Sequence, residues 1–324
     1  MELTVSDWLK VIRPEYLQSF VKNGGATVKF LVLPDGDSPN WAKEAIESSA
    51  RDDGYLFAFV DAQEIKVNMI EQIFFSVARQ IDWISLARGF LYRKLRENGW
   101  SVPEPGAALT LSQIASVNER DPHLIRPELN RLLESALYRD YRLSQEFRLA
   151  MMRRCQAELD PSLSPVPAEA LERWFRGELA RITEVKEAQI YQKVSRHTAR
   201  HMLSSVAYFL HLCGYSGLFL ALDIRRCLLK PPRPRNPEDM SYYYSTAGVL
   251  DVYEILRELV DQTDDLEYFF AAILTANEFL DESSRRSVCR YDALKMRIWN
   301  EVRDENRPNP LGGLIRLEGN FADA

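Results

Sequence analysis

Residues 26–60, which read ATVKFLVLPDGDSPNWAKEAIESSARDDGYLFAFV, give the clearest indication of fold class in the chain. The run Ala26–Leu33 is apolar and rich in β-branched residues, and Tyr55–Val60 is almost continuously apolar, so both predict buried strands. Between them a turn containing Pro, Gly and Asp leads into a predicted helix, Trp41–Arg51, which ends at Asp52-Asp53-Gly54. Strand, turn, helix and strand form a βαβ unit, and strands without polar alternation indicate a parallel sheet covered on both faces.

The remainder of the chain adds one long helical region and three more strands. Helical periodicity continues almost without interruption from Trp83 to Met202, which predicts an all-helical insertion. Apolar strands return at Gly217–Asp223 and Leu266–Leu274, and a short strand is predicted near Gly313–Leu317. The sequence therefore predicts an α/β protein in which residues 1–82 and 203–324 form the two halves of a parallel-sheet core and residues 83–202 form a helical insertion subdomain.

Composition and charge exclude several classes of protein. Of the 324 residues, 46% are hydrophobic and 27% are charged, which excludes global disorder and fibrous structure. The net charge of −6 excludes a strongly basic nucleic-acid coat. The four cysteines form no CxxC pair, and no histidine is placed to complete a zinc pattern with them, so reduced thiols are favoured over disulfides or structural zinc. No signal peptide and no apolar span of about 20 residues is visible, so we expect a cytoplasmic protein without a membrane partner.

The turn after the first strand is where a phosphate-binding loop would lie, because backbone N–H groups and the next helix N-terminus converge there. A nucleotide-hydrolysing loop reads G-x-x-x-x-G-K-[ST]. Residues 33–41 instead read LPDGDSPNW, with one glycine, no lysine before Lys43 and two prolines that remove N–H donors. Asp35 and Asp37 add negative charge where phosphate needs neutralising, so we expect no tight phosphate binding. A solvated turn or a helix cap is the alternative interpretation of both aspartates.

The strand Leu218–Asp223 is the second element of such a site. An apolar strand that ends in Asp is the usual Mg²⁺-holding strand of ATPases of this kind. The next residue is normally the glutamate that activates water, but here it is Ile224. Both halves of a hydrolytic site are therefore defective, and a structural role at the strand end is the alternative interpretation of Asp223.

A series of short segments in this order resembles the BREX-type ATP-binding proteins, which are P-loop ATPases related to the AAA and STAND groups and occur in bacterial anti-phage defence islands. The segments are Gly24–Phe30, Gly54–Asp61, Leu171–Gly177 (LERWFRG), Gly214–Gly217, Tyr253–Asp261 (YEILRELVD) and Tyr291–Arg297. The resemblance implies a P-loop NTPase-like core with a large all-helical insertion. The sequence departs from the family at the phosphate lysine and the catalytic glutamate.

The resemblance also implies roles for individual positions. Asp223 matches the metal-holding aspartate, with Ile224 at the position of the catalytic base. Thr275 and Asn277 lie where the family has its sensor, and Arg286 and Arg297 lie in the segment that supplies arginine to a nucleotide. The expected remnants of the nucleotide site are Asp35, Gly36, Asp37, Ser38, Lys43 as a substitute phosphate ligand, Asp223, Ile224, Thr275, Asn277, Arg286 and Arg297.

A stretch of basic residues and tyrosines follows the Asp223 strand. Basic side chains beside stacking aromatics suit a partner protein or single-stranded nucleic acid, and a linker with incidental charge is the alternative. The predicted contact residues are Arg225, Arg226, Arg233, Arg235, Tyr242, Tyr243 and Tyr244.

The function that we expect is that of a degenerate P-loop ATPase, without catalytic residues, in a multi-protein anti-phage system. It would dock on an active ATPase, helicase or nuclease of that system, with DNA as a further candidate partner. We expect no cofactor and no metal; weak binding of ATP and Mg²⁺ is the alternative. Two other functions stay open, an unorthodox ATP-dependent motor subunit that acts on DNA and a DNA-binding adaptor.

Overall fold

The computed structural model describes residues 3–34, 40–104, 109–232, 239–299 and 309–318. Two π-helical segments, Arg13–Phe20 and Glu134–Tyr138, accompany the regular elements. The strands are β1 (Ala26–Leu33), β2 (Tyr55–Asp61), β3 (Gly217–Asp223), β4 (Phe269–Ala276) and β5 (Leu314–Arg316). The helices are α1 (Val5–Ile12), α2 (Asn40–Asp52), α3 (Ile70–Arg79), α4 (Trp83–Glu97), α5 (Leu111–Val117), α6 (Pro122–Leu133), α7 (Gln145–Leu159), α8 (Ala168–Arg176), α9 (Ala199–Leu212), α10 (Arg225–Leu228), α11 (Thr246–Asp261) and α12 (Asp292–Ile298).

The five strands form one sheet in the order β2-β3-β4-β1-β5, and every pair is parallel. This arrangement confirms the predicted α/β fold with a parallel sheet and is consistent with a P-loop NTPase-like core. β1 lies between β4 and β5, and β3 lies between β2 and β4. The near-continuous apolar runs of β1, β3 and β4 fit these inner positions, because inner strands of a parallel sheet are buried on both faces.

The chain forms two compact units. The first contains the sheet and comprises Met1–Ile73 and Tyr215–Ala324, and the second is Phe74–Gly214. The limits that we predict for the insertion, residues 83 and 202, lie inside the second unit.

Helices of the first unit cover both faces of its sheet. On one face α1 and α2 pack against Leu31 of β1 and Phe219 of β3 in a single apolar cluster. Side chains alternate along a strand, so Phe30 points to the opposite face, where it stacks on Phe279 at 5.9 Å between ring centroids. Tyr253 of α11 packs against that same Phe279 ring.

The connections that leave the neighbouring strands β1 and β4 go to opposite faces of the sheet. The connection that leaves β1 runs through α2 on one face, and the connection that leaves β4 begins with Phe279 on the other. Neighbouring strands whose connections diverge in this way leave a crevice at their carboxyl ends, where open α/β sheets bind ligands. The fold therefore places a candidate site at the carboxyl edge of β1, β3 and β4.

The second unit has an aromatic core. Trp83 stacks on Phe175 with 4.0 Å between ring centroids and an interplanar angle of 7°. Phe147 and Phe209 pack edge-to-face in the same group. The described residues of this unit contain helices and no strand, as the periodicity of the sequence predicts.

Lys29 is a buried cation in the centre of the sheet. Its Nζ donates hydrogen bonds to the Tyr16 hydroxyl at 3.0 Å and to the Leu311 carbonyl at 2.7 Å. No carboxylate in the described part of the chain pairs with this ammonium group. Burial lowers the pKa of Lys29 to about 8, so the folded chain holds the charged form at a cost in free energy.

We expect Lys29→Met to flatten the rise of stability with pH above neutrality. The pKa of Lys29 is about 8 in the folded chain, whereas a lysine in an unfolded chain has a pKa of about 10.4. Between these two pH values the unfolded chain therefore binds more protons than the folded chain. The unfolding free energy of the parent should therefore rise over this range, by up to about 3 kcal/mol. Urea unfolding between pH 7.5 and about 10.4 measures the slope. Lys22→Met, at an exposed position, should keep the parent's slope, and equal slopes in both variants would contradict this expectation.

Candidate functional site

The carboxyl ends of β3 and β4 bring two of the predicted site residues to the same edge of the sheet. Asp223 is the last residue of β3, and Thr275 is the next-to-last residue of β4. Thr275 pairs in register with Val32 of β1. The loop positions Asp35, Gly36, Asp37 and Ser38 lie outside the described residues.

Asp223 forms a two-point ion pair with Arg225. The carboxylate is buried, with 4% of the residue exposed. Its Oδ1 accepts from the backbone N–H and from Nε of Arg225, each at 3.0 Å, and its Oδ2 accepts from Nη2 at 2.6 Å. The guanidinium therefore engages both carboxylate oxygens, which is the strong, bidentate form of this interaction.

Local backbone structure explains why these two residues meet. The N–H of Ile224 donates to the Leu274 carbonyl of β4, which extends the sheet hydrogen bonding one residue beyond β3. The short helix α10 then begins at Arg225, and this turn brings its side chain back over the strand end. Ile224 is fully buried. An apolar, buried side chain therefore follows Asp223, at the position predicted for a catalytic glutamate, and it offers no group for proton transfer.

A second carboxylate lies beside Asp223. Asp61 ends β2 and pairs in register with Asp223, and its Oδ1 accepts the N–H of Gln63 at 2.7 Å. Burial and the negative charge of Asp223 raise the pKa of Asp61. Both carboxylates face a cleft of about 610 Å³. Its lining residues are Asp61, Gln63, Asp223, Arg225, Arg226, Leu228, Leu229, Lys230, Ala276 and Glu278.

The predicted sensor residues differ in their surroundings. Thr275 is fully buried, and its hydroxyl has no hydrogen-bond partner in the part of the chain that the structure describes. Asn277 is exposed and begins the 3₁₀ turn Asn277–Phe279. A buried hydroxyl without a partner is costly, so the end of β4 beside β1 has one unmet hydrogen-bond requirement.

A family model described as BREX system ATP-binding protein BrxC/D matches residues 130–323, more than half of the chain. The chain belongs to this family. The matched range contains four of the six segments that carry the resemblance in the sequence, namely Leu171–Gly177, Gly214–Gly217, Tyr253–Asp261 and Tyr291–Arg297. Membership assigns the chain to the multi-protein BREX systems, which act in phage defence. The searches of curated proteins and of solved structures each found no match.

The described residues of this BREX-family chain do not fit the magnesium complex of ATP, the ligand of an active P-loop ATPase. Arg225 engages both oxygens of Asp223, the predicted metal-holding carboxylate. The predicted position of the base is a buried isoleucine, and no lysine occurs between the end of β1 and Lys43. The Thr275 hydroxyl, which has no partner among the described residues, favours a ligand at this edge.

Lys43 lies in the fourth position of α2, and its ammonium group is 4.3 Å from the centroid of the Phe59 ring on β2. Phe59 packs against the apolar cluster under α2. The described contact of Lys43 is therefore a cation–π interaction on the α2 face. Its role as a phosphate ligand stays a prediction.

The two predicted nucleotide arginines each make contacts within the chain. Arg286 is buried and donates through Nη1 to the Cys227 carbonyl and through Nη2 to the Tyr244 carbonyl, both at 2.7 Å. Arg297 of α12 forms an ion pair with Asp261 of α11 and lowers the pKa of that carboxyl. Arg286 therefore ties its own loop to α10 and to the segment that precedes α11. A role toward nucleotide stays a prediction for both arginines.

The structure corrects the predicted contact surface at one residue. Tyr244 is buried, with 5% of its surface exposed, and its hydroxyl accepts the N–H of Val67 and donates to the Ile65 carbonyl at 2.6 Å. Its side chain belongs to the core and is closed to a partner. Three consecutive tyrosines cannot all point outward from an extended backbone, because successive side chains alternate in direction.

Arg226 and its neighbours make up the exposed part of this surface. The Arg226 guanidinium stacks on the Tyr243 ring at 4.0 Å and forms an ion pair with Asp239 at 3.4 Å. Tyr242 is 38% exposed, and its backbone carbonyl accepts from Arg226. Arg233 and Arg235 lie outside the described residues. Sequence reasoning missed two exposed apolar residues here, Leu229 and Met240.

Within the described ranges no three His, Cys, Asp or Glu side chains are arranged to hold a metal ion, and the four cysteines are free. None of the helices in those ranges combines the length and apolar character needed to cross a bilayer.

Proposed function

We propose that this BREX-family chain is a degenerate P-loop ATPase that acts in the cytoplasm as a structural or regulatory subunit. It docks on an active ATPase, helicase or nuclease of the same defence system. The observation that carries this proposal is the buried ion pair between Asp223 and Arg225. A carboxylate whose two oxygens already bind a guanidinium is not available to a nucleotide-bound metal ion.

Two further observations support a loss of hydrolysis. Ile224 is fully buried where an ATPase needs a water-activating base. The loop after β1 has the sequence PDGDSP, which supplies acidic side chains and prolines where phosphate requires N–H donors and a lysine. One fold can carry different functions at different sites, so a core without a working catalytic site can still bind partners through its surfaces.

The docking surface that we propose is formed by Leu229, Lys230, Met240 and Tyr242, arranged around Arg226. Met240 is 88% exposed and Leu229 is 52% exposed, although both are apolar. Arg226 holds the surface together through the Tyr242 carbonyl and Asp239. Exposed apolar and aromatic side chains around an ordered arginine are typical of residues that concentrate binding energy at interfaces.

A triple variant tests this docking. Leu229→Ser, Met240→Ser and Tyr242→Ala together should weaken binding to the co-expressed subunits of the same system by about tenfold or more, because apolar anchors dominate interface energetics. Quantitative co-purification and phage protection are the measurements. Met296→Ser, an equally apolar residue that is 80% exposed on α12, is the matched control. A triple variant that assembles and protects as well as this control would contradict docking at this surface.

Thr275 supports a second candidate function, an ATP-dependent motor subunit. Among the residues that the structure describes, its buried hydroxyl has no partner, and it lies at the strand end where such proteins sense the nucleotide. A phosphate-release assay separates the candidates. Release that Asp223→Ala abolishes would favour the motor, and release at the level of buffer alone would favour the degenerate ATPase.

A further inference from the structure

Arg225 places a positive charge directly against Asp223 at the carboxyl end of β3. A single residue separates them, and the turn into α10 folds the guanidinium back onto the carboxylate. The Asp223 side chain is 6% exposed and that of Arg225 is 19% exposed. A carboxylate buried to this degree needs a cation, because an isolated charge in such surroundings is strongly disfavoured.

We propose that the Arg225 guanidinium is the resident cation of this site and replaces the divalent metal ion that a P-loop ATPase holds at the same carboxylate. The proposal deepens the proposed function, on which it rests, by naming the group that keeps metal out. Arginine does not lose its proton at physiological pH, so this cation is present whether or not nucleotide or metal is available. A metal ion must first displace a bidentate, tethered partner.

The neighbouring charges support this assignment. Arg226, the next residue along, pairs with Asp239 and stacks on Tyr243. Arg225 is the one cation in the described ranges that forms an ion pair with Asp223. Asp61 stands next to Asp223 in register. Removing the Arg225 charge would leave two adjacent carboxylates without a cation, and carboxylate oxygens are the ligands that Mg²⁺ and Mn²⁺ prefer.

Mn²⁺ is the probe for the test, because its free form can be counted by electron paramagnetic resonance while it is titrated into the full chain. We expect Arg225→Ala to bind Mn²⁺ at least about tenfold more tightly than the parent protein. Adding Asp223→Asn to that variant should remove the gain. Arg285→Ala removes a charge at an exposed position outside the lining of this cleft, so it is the matched control and should show no gain. Arg225→Gln removes the charge but keeps a hydrogen-bond donor, and we expect it to gain affinity for Mn²⁺ in the same way. It replaces Arg225→Ala in the experiment if the alanine variant does not fold.

Thermal unfolding of the same variants supplies a second readout. Arg225→Ala should lower the unfolding midpoint by roughly 5 °C or more, because it leaves a buried charge unpaired. The double variant with Asp223→Asn should recover part of that loss. The proposal would be overturned if the parent protein bound Mn²⁺ as tightly as Arg225→Ala and Arg225→Gln do. It would also be overturned if these two variants gained no affinity for Mn²⁺ and lost no stability. ATP binding by the parent without metal would contradict the proposed function and leave this inference intact.

Discussion

Gly217→Ala is expected to lower the unfolding free energy by roughly 3 kcal/mol or more. Gly217 begins β3 with φ of +144°, and a Cβ at this position would lie 2.1 Å from the carbonyl oxygen of Tyr268. That carbonyl also accepts the N–H of Leu218 at 2.9 Å. The substitution therefore forces both an unfavourable backbone conformation and the separation of β3 from the start of β4.

Gly99→Ala is the matched control for this effect. Gly99 also has a positive φ, of +78°, but no described residue other than its two chain neighbours comes within 4 Å of the position that its Cβ would take. Its substitution should cost about 1 kcal/mol, from backbone strain alone. Urea unfolding followed by circular dichroism measures both variants. Equal losses of unfolding free energy in the two variants would contradict the close approach of Gly217 to the Tyr268 carbonyl.

Arg286→Ala should lower the unfolding free energy by about 2–4 kcal/mol, because two buried carbonyls lose their donors. The carbonyls belong to Cys227 and Tyr244, on either side of the loop that follows α10. Arg285→Ala is the control at the adjacent, exposed arginine and should change stability by no more than about 0.5 kcal/mol.

Comparing Arg286→Ala with Arg285→Ala also distinguishes a structural role of Arg286 from a role in ligand binding. A structural arginine lowers stability when it is removed, with or without nucleotide in the buffer. If Arg286→Ala is as stable as Arg285→Ala, and only phage protection or nucleotide binding is lost, the guanidinium acts on a ligand and the structural account is wrong.

Two of the three inner strands, β1 and β3, could be predicted to the residue. Their bounds agree with the apolar runs Ala26–Leu33 and Gly217–Asp223. Gly25 and Pro34 flank the first run, and the second begins at a glycine and ends at the charged Asp223. β4 was predicted at Leu266–Leu274 but spans Phe269–Ala276. Tyr268 has a positive φ immediately before this strand, and hydrophobicity alone carries no information about that backbone conformation.

The interactions at the site were harder to predict than its position. An apolar strand that ends in Asp223 indicated the correct edge of the sheet. The sequence assigned Arg225 to a partner surface, because the contact with Asp223 depends on the turn into α10 that follows Ile224. Tyr244 was misassigned for a similar reason. Three identical residues in a row differ only in the direction that the backbone gives each side chain.

We propose that the site of this BREX-family chain is closed to the magnesium complex of ATP. Isothermal titration calorimetry of that complex into the purified chain tests it most directly, with Asp223→Ala as the paired variant. We predict no saturable heat for either protein up to about 1 mM ligand, since Arg225 holds both oxygens of Asp223. A micromolar dissociation constant for the parent that Asp223→Ala abolishes would contradict the account.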